Sequence, residues 1–180
     1  MATVVALVSQ KGGVGKSTLS RALAREAAAG GLRVKVADLD TQQGTSVDWH
    51  RVRLSVGLEP VVSVEAFATA AQALAAADGF DLLVIDGPAR TSQATLEIAK
   101  AASIVVQPTG ASLDDLRPAV REFHALVKAG VPAQKGKRRP RVPTSKRLAM
   151  QSCPVVCLKS LPTVRRRMRG GPSQRLAMSG

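Results

Sequence analysis

The chain has 180 residues, which is enough for one globular domain with a sizeable core. It contains three Phe, one Trp and no Tyr, so Ala, Val and Leu must form most of the core, as is typical of an α/β domain with a parallel sheet. No run of eighteen apolar residues is present, which argues against a membrane-spanning helix. The two cysteines, Cys153 and Cys157, are too few for a disulfide scaffold. These features predict a cytoplasmic protein that does not bind a membrane.

The net charge of +13 comes from one end of the chain. Residues 1–133 contain 13 Lys or Arg and 13 Asp or Glu, whereas residues 134–180 contain 13 Lys or Arg and no acid. The second segment also holds half of the ten prolines. The composition therefore predicts a folded domain over residues 1–133 and a basic, Pro/Arg-rich, disordered tail over residues 134–180.

Strand and helix patterns alternate through the first part of the chain. Short apolar, β-branched runs predict strands at Thr3–Val8, Arg33–Leu39, Val61–Val64, Phe80–Ile85 and Ser103–Gln107. Helical spacing and Ala-rich composition predict helices at Ser17–Ala29, Ser46–Leu54, Glu65–Ala77, Thr91–Ala101 and Leu113–Ala129. This alternation predicts an α/β fold with a doubly wound, mostly parallel sheet, whose ligands bind at the carboxyl ends of the strands.

A glycine-rich loop follows the first predicted strand and precedes the first predicted helix. Its phosphate-binding residues are predicted to be Gly12, Gly13, Val14, Gly15, Lys16, Ser17 and Thr18. Glycines let the backbone N–H groups face a phosphate, and the helix directs its positive end at the same anion. We expect Lys16 to reach the β- and γ-phosphates of ATP and the Ser17 hydroxyl to bind Mg²⁺.

Acidic residues end two of the later strands. Asp38 and Asp40 follow the second strand, and Asp86 ends the apolar run Leu82–Ile85. An apolar strand that ends in Asp, placed after a phosphate loop, is typical of the acid that supports Mg²⁺, so Asp86 is predicted to hold the metal shell through water. Asp38 and Asp40 are polar residues at another strand end, where the ligand site is expected.

The segment Lys11–Thr18 resembles the deviant Walker A box of the ParA/MinD family, a group of P-loop NTPases. The resemblance implies that Lys11 is a catalytic signature lysine that reaches the nucleotide of a partner subunit, with Lys16 as the second catalytic lysine. The segment Asp38–Gly44 resembles the family's Asp-x-Asp-Pro-Gln box, with Thr41 in place of proline. By that resemblance, Asp40 is catalytic and positions the attacking water, and Asp38 supports the metal.

The resemblance implies an ATPase of plasmid or chromosome partitioning that hydrolyses ATP as an ATP-dependent homodimer. A DNA-bound partition protein would be its partner, with non-specific DNA binding and nucleoid association. A MinD-like ATPase that positions cell division is an alternative within the same family. From another class, the chain could be a non-enzymatic DNA-binding protein that acts through its basic tail. Residues 1–133 lack the cysteines of nitrogenase iron proteins, and the chain lacks the tyrosines of tyrosine autokinases.

The tail does not resemble the end of the ParA/MinD family. Reading plausible codons for Ser152–Met178 one nucleotide out of phase gives a string similar to that end. An Arg/Pro-rich segment without acids also fits an out-of-phase GC-rich gene, so a frame shift is favoured over an evolved DNA-binding arm. This hypothesis predicts that the C-terminal part of the fold is incomplete.

Overall fold

The computed structural model describes residues 2–88, 93–133 and 155–157. In chain order, the elements are β1 (Thr3–Leu7), α1 (Lys16–Ala29), β2 (Val34–Asp38), α2 (Thr45–Ser55), β3 (Ser63–Ala66), α3 (Ala70–Ala75), β4 (Leu82–Asp86), α4 (Gln93–Ala101), β5 (Ile104–Pro108), α5 (Leu113–Lys128) and β6 (Val155–Cys157). The strands are short and mostly apolar, with the partly exposed β3 as an exception, and each of the first five is followed by a helix. This is the repeating unit that builds a parallel sheet.

The strands form one sheet in the order β3-β2-β4-β1-β5-β6. The first five strands run parallel, and β6 pairs antiparallel with β5. The connection from β1 runs toward β2 on one side of the sheet, whereas the connection from β4 runs toward β5 on the other side. The direction therefore switches between β1 and β4, and ligand sites of open α/β sheets lie at such a switch point. The predicted α/β fold with a doubly wound, mostly parallel sheet is confirmed.

The core lies on both faces of the sheet. On one face, Leu7, Val36 and Val84 pack with Ala24 of α1. On the other face, the strands pack against residues of α3, α4 and α5, including Ala73, Ile98 and Leu126. Side chains of a strand alternate between its two faces, so strands covered on both sides are apolar throughout. The central strand β4 is buried at every position, as this arrangement requires.

The helix predicted over Glu65–Ala77 is wrong at its start. Glu65 belongs to β3, where it pairs with Ala37 of β2, and its carboxylate lies 2.6 Å from the Lys35 ammonium. The helix begins later, because Thr69 adopts the extended conformation of an N-cap and its side chain accepts a hydrogen bond from the Gln72 amide. Cross-strand pairing therefore overrides the helical preference of the Ala-rich sequence.

The tail predicted over residues 134–180 is described only at Val155–Cys157, which form β6 beside β5. Residues 134–154 and 158–180 lie outside the described residues, so the disorder predicted there, the frame shift and the DNA-binding arm stay predictions. The predicted incompleteness of the C-terminal part of the fold lies there as well. Within residues 2–88, 93–133 and 155–157, no helix has the length and apolar character needed to cross a bilayer.

Candidate functional site

Sheet register brings the ends of three strands into one row. Leu7 of β1 is paired with Asp86 of β4, and Asp86 is paired on its other side with Asp38 of β2. The Leu39 amide donates to the Asp86 carbonyl at 3.0 Å, so the pairing continues past the strand ends. The glycine-rich loop that leaves β1 therefore starts beside Asp86, with Asp38 one strand further along the same row, as expected from parallel strands.

The loop between β1 and α1 has a backbone that only glycine adopts easily. Gly13 and Gly15 have φ angles of +75° and +91°, in the left-handed region. Gly15 is the N-cap of α1, and no side chain of the described residues caps this helix end. Its first amides therefore have no side-chain acceptor, and they form the positive end of the helix dipole. This geometry fits a bound phosphate.

An open cleft lies over this helix end. It is lined by Gly12, Gly13, Gly15, Lys16, Ser17, Thr18, Arg21, Asp40, Gln43, Thr45 and Gly87. Six of the seven predicted phosphate-binding residues are in this set, and Val14 is not. The loop therefore meets the end of β4 and the loop after β2 in one cleft.

Lys16 is the buried cation of the cleft. Its residue surface is only 7% exposed. Burial lowers the pKa of its ammonium, while the nearby Asp86, Asp40 and Glu122 act in the opposite direction. A buried ammonium that faces a cleft is stabilised by an anion bound there.

Asp86 combines deep burial with an unused oxygen. It is 1% exposed, its Oδ2 accepts a hydrogen bond from the Ser46 hydroxyl at 2.8 Å, and its Oδ1 has no partner among the described residues. Burial raises the pKa of the carboxyl, and the neighbouring hydroxyls of Ser17 and Ser46 partly offset this. Such a group is suited to a ligand that supplies positive charge.

Asp38 holds the loop that carries Asp40. One Asp38 oxygen accepts from the Asp40 amide at 3.0 Å, and the other accepts from the Ser46 amide at 3.1 Å. Both oxygens thus bind backbone groups, and the Asp38 contribution to a metal shell stays a prediction. Asp40 is half-buried and lines the cleft, where its carboxylate can reach a ligand.

Lys11 lies outside the cleft and is half-exposed. Its ammonium contacts the Asp115 carboxylate at the start of α5. This contact is the main cause of the lowered pKa of Asp115. The Ser112 hydroxyl, which donates to the same carboxylate at 2.8 Å, contributes as well. In this single chain Lys11 therefore has an acidic partner, and its predicted role across a dimer stays a prediction.

Three residues near the loop carried no assigned role in the sequence analysis. Arg21 donates to the Ser17 carbonyl at 2.8 Å and lines the cleft. Glu122 of α5 accepts from the Gln10 amide, and Gln107 at the end of β5 donates to Glu122. The sequence held one signal for Glu122, since it lies in register with the buried residues Ala119 and Leu126 of α5, where a charge is unusual.

The oxygen donors fit a magnesium ion. Magnesium binds oxygen ligands, keeps several waters, and in nucleotide sites takes one or two carboxylates or hydroxyls together with phosphate oxygens. The Ser17 hydroxyl and the partner-free Asp86 Oδ1 are donors of that kind. In the described part of the chain, no three His, Cys, Asp or Glu side chains gather as a metal site. An ion would therefore depend on water and on the ligand's own oxygens.

The doubly wound sheet, the glycine loop before α1 and the acid at the end of β4 together define a P-loop nucleotide-binding domain. The chain belongs to the CobQ/CobB/MinD/ParA nucleotide-binding family, whose sequence profile matches residues 5–131. The resemblance to the ParA/MinD family noted from Lys11–Thr18 is thereby confirmed.

Two solved structures are similar to the chain. Cobyrinic acid a,c-diamide synthase from Mycobacterium smegmatis, with bound ADP and magnesium, has 27% identity and a TM-score of 0.44, with 57% of each chain covered. A nucleotide-binding protein from Archaeoglobus fulgidus, in complex with ADP and with cobalt, has 20% identity and a TM-score of 0.43, with 70% of this chain and 63% of that chain covered. The present chain thus spans about six-tenths of the length of each. No curated protein sequence matches it.

Proposed function

We propose that this nucleotide-binding domain binds ATP with Mg²⁺ and hydrolyses it slowly, in a reaction linked to dimerisation. One observation supports this most strongly: the uncapped start of α1, the buried Lys16 and the partner-free Asp86 Oδ1 meet at one edge of the sheet. The first amides of α1 and the Lys16 ammonium would bind the phosphates, and Asp86 would hold a divalent cation.

Each residue has a separate task in this proposal. The amides of the loop and the Lys16 ammonium bind phosphate oxygens, and Ser17 and Asp86 hold the metal shell directly or through water. Magnesium, when bound, neutralises charge on the phosphates. Asp40 orients the water whose oxygen attacks the γ-phosphorus. The bond from the γ-phosphorus to the β–γ bridging oxygen breaks, and the products are ADP, inorganic phosphate and a proton that passes to solvent.

Lys11 is proposed to act between two subunits. Its side chain lies outside the cleft, next in sequence to the lining residue Gly12, and its partner Asp115 belongs to the same chain. An exposed ion pair is weak, so the ammonium can leave Asp115 for a second nucleotide at small cost. ATP would then join two subunits, as the resemblance to the deviant Walker A family implies.

We place this ATPase in plasmid or chromosome partitioning, where a DNA-bound partner protein triggers hydrolysis. This part of the proposal rests on the resemblance of Lys11–Thr18 and Asp38–Gly44 to ParA-like boxes. The basic segment 134–180 supports non-specific DNA binding and association with the nucleoid through its charge alone.

The test is ATP-dependent assembly followed by sedimentation velocity. Wild-type protein should sediment as a dimer with ATP and Mg²⁺ and as a monomer with ADP. Lys11→Ala should bind ATP but remain monomeric, and Lys128→Ala, an exposed lysine in the last turn of α5, should behave as wild type. Dimers that form equally without nucleotide, or that survive Lys11→Ala, would contradict the dimer proposal.

A further inference from the structure

Helix α5 carries an acid on its buried face. Glu122 is 3% exposed, and the two residues in register with it, Ala119 and Leu126, are buried as well. Leu126 belongs to the apolar core beneath the sheet. Burying a carboxylate in such surroundings is costly unless donors hold it, so the position calls for a specific set of contacts.

Those contacts join three separate elements. Glu122 Oε2 accepts from the Gln10 amide at 2.9 Å and from Gln107 Nε2 at 2.8 Å. Gln107 is fully buried at the end of β5 and donates a second time, to the Ala119 carbonyl at 3.0 Å. One carboxylate oxygen thus connects α5 and β5 to the start of the phosphate loop.

The Gln10 amide lies at the start of the phosphate loop, shortly after strand β1 ends. Gln10 is the second residue after the core residue Val8, and its side chain and the next residues, Lys11 to Gly13, are exposed. At its far end, the loop is fixed by the Leu19 amide, which donates to the Gly15 carbonyl at 2.9 Å. Glu122 fixes the near end, across a sequence separation of 112 residues.

We propose that Glu122 is a positioning residue for the phosphate loop: its Oε2 holds the Gln10 amide and thereby keeps the loop glycines in the form that accepts phosphate. The residue does not line the cleft: it positions the loop through Gln10, and its charge also acts on the Lys16 ammonium, which Glu122→Gln tests separately. Its effect on ATP binding rests on the proposed function, whereas its hold on the Gln10 amide exists without nucleotide.

Two substitutions separate the acceptor from the rest of the side chain. Glu122→Gln keeps an oxygen that can accept both hydrogen bonds and removes the charge. Glu122→Leu keeps a similar volume and removes the acceptor. Leu126→Ala is the matched control, because it weakens the packing of the same helix one turn later and leaves the acceptor in place.

The first measurement is amide hydrogen exchange in the nucleotide-free wild-type protein. The Gln10 amide should exchange at least about tenfold more slowly than the Gly12 amide, although both residues are exposed, because only the former has a buried acceptor. Equal rates for the two amides would overturn the proposal. The measurement uses only the wild-type protein and so does not depend on whether any variant folds.

The second measurement is calorimetric titration of the wild-type protein and each variant with ATP and Mg²⁺. We expect Glu122→Leu to bind about tenfold more weakly, and Glu122→Gln and Leu126→Ala to stay within about threefold of wild type. Leu126→Ala should unfold at a lower urea concentration than wild type while keeping its ATP affinity, so a loss of stability alone would not explain weaker ATP binding. Wild-type affinity for Glu122→Leu, or equal losses in Glu122→Gln and Glu122→Leu, would refute the positioning role. Failure of the wild type to bind ATP would refute the proposed function instead.

Discussion

The phosphate loop has two flanks that differ in kind. On the flank of β2 and β4, Asp38, Asp86 and Ser46 form a buried cluster that opens into the cleft at Asp40. On the flank of β5 and α5, Glu122 holds the loop's start from beneath, outside the cleft. The first flank offers groups to a ligand, and the second offers a support for the loop that binds it.

The two flanks show that groups that bind the nucleotide and groups that support the loop are placed differently along the chain. Groups that touch a nucleotide lie at spacings that the nucleotide dictates, within short segments of the chain. Groups that hold the loop need only reach it in space, so Glu122 comes from a helix 112 residues away. Breaking a contact on each flank should therefore have effects of different size and kind.

The largest expected effect is on the ligand flank. Lys16→Ala removes the buried ammonium of the cleft, and hydrogen bonds to charged groups contribute roughly 1.5–3 kcal/mol. We expect ATP affinity to fall by about 10-fold to 100-fold in calorimetric titration. Lys128→Ala, which changes an exposed lysine far from the cleft, should leave the affinity unchanged.

A steric change where β4 meets β1 should lower stability. A Cβ at Gly87 would lie 2.5 Å from the Leu7 carbonyl oxygen, so Gly87→Ala must push the two strand ends apart. We expect the free energy of unfolding to drop by about 1–3 kcal/mol in urea titration. Gly12→Ala is the control, since nothing lies within 4 Å of a Cβ there, and an equal loss in both variants would refute the explanation.

Removing the Asp86 charge should stabilise the empty protein. Burial raises the pKa of Asp86 in the folded protein. Below the unfolded pKa the carboxyl is protonated in both states and costs no stability. As pH rises through the folded pKa, the buried group becomes charged and stability is lost. At pH 7 in EDTA, Asp86→Asn should raise the free energy of unfolding by on the order of 1 kcal/mol. The gain should vanish in urea titrations at acidic pH, and a gain that is constant with pH would contradict this cause.

The smallest expected effect is at the Lys11–Asp115 ion pair, on the flank of β5 and α5. Lys11 and Asp115 do not line the cleft, and a half-exposed ion pair is weak. We expect Asp115→Asn to change the ATP affinity of the monomer by less than about twofold in calorimetric titration. A tenfold change would show that the pair supports the loop as strongly as we infer for Glu122.

Much of the fold follows from the sequence. Alternating apolar strands and helices predict the parallel sheet, and glycines followed by Lys16 predict the loop, because both depend on local order along the chain. The start of α3 is missed because Glu65 is held in β3 by its pairing with β2, a non-local contact. Glu122 and the Lys11 contact with Asp115 are missed for the same reason, since each joins residues more than a hundred positions apart.

The most direct test of the account is hydrogen exchange across residues 8–20, with and without ATP and Mg²⁺. We predict that nucleotide slows exchange at the amides of Gly13 to Thr18, while the Gln10 amide is slow in both states. Protection that requires Mg²⁺ and disappears in Lys16→Ala would agree with the proposed site. Protection confined to other parts of the chain, or a Gln10 amide that exchanges freely without nucleotide, would contradict it.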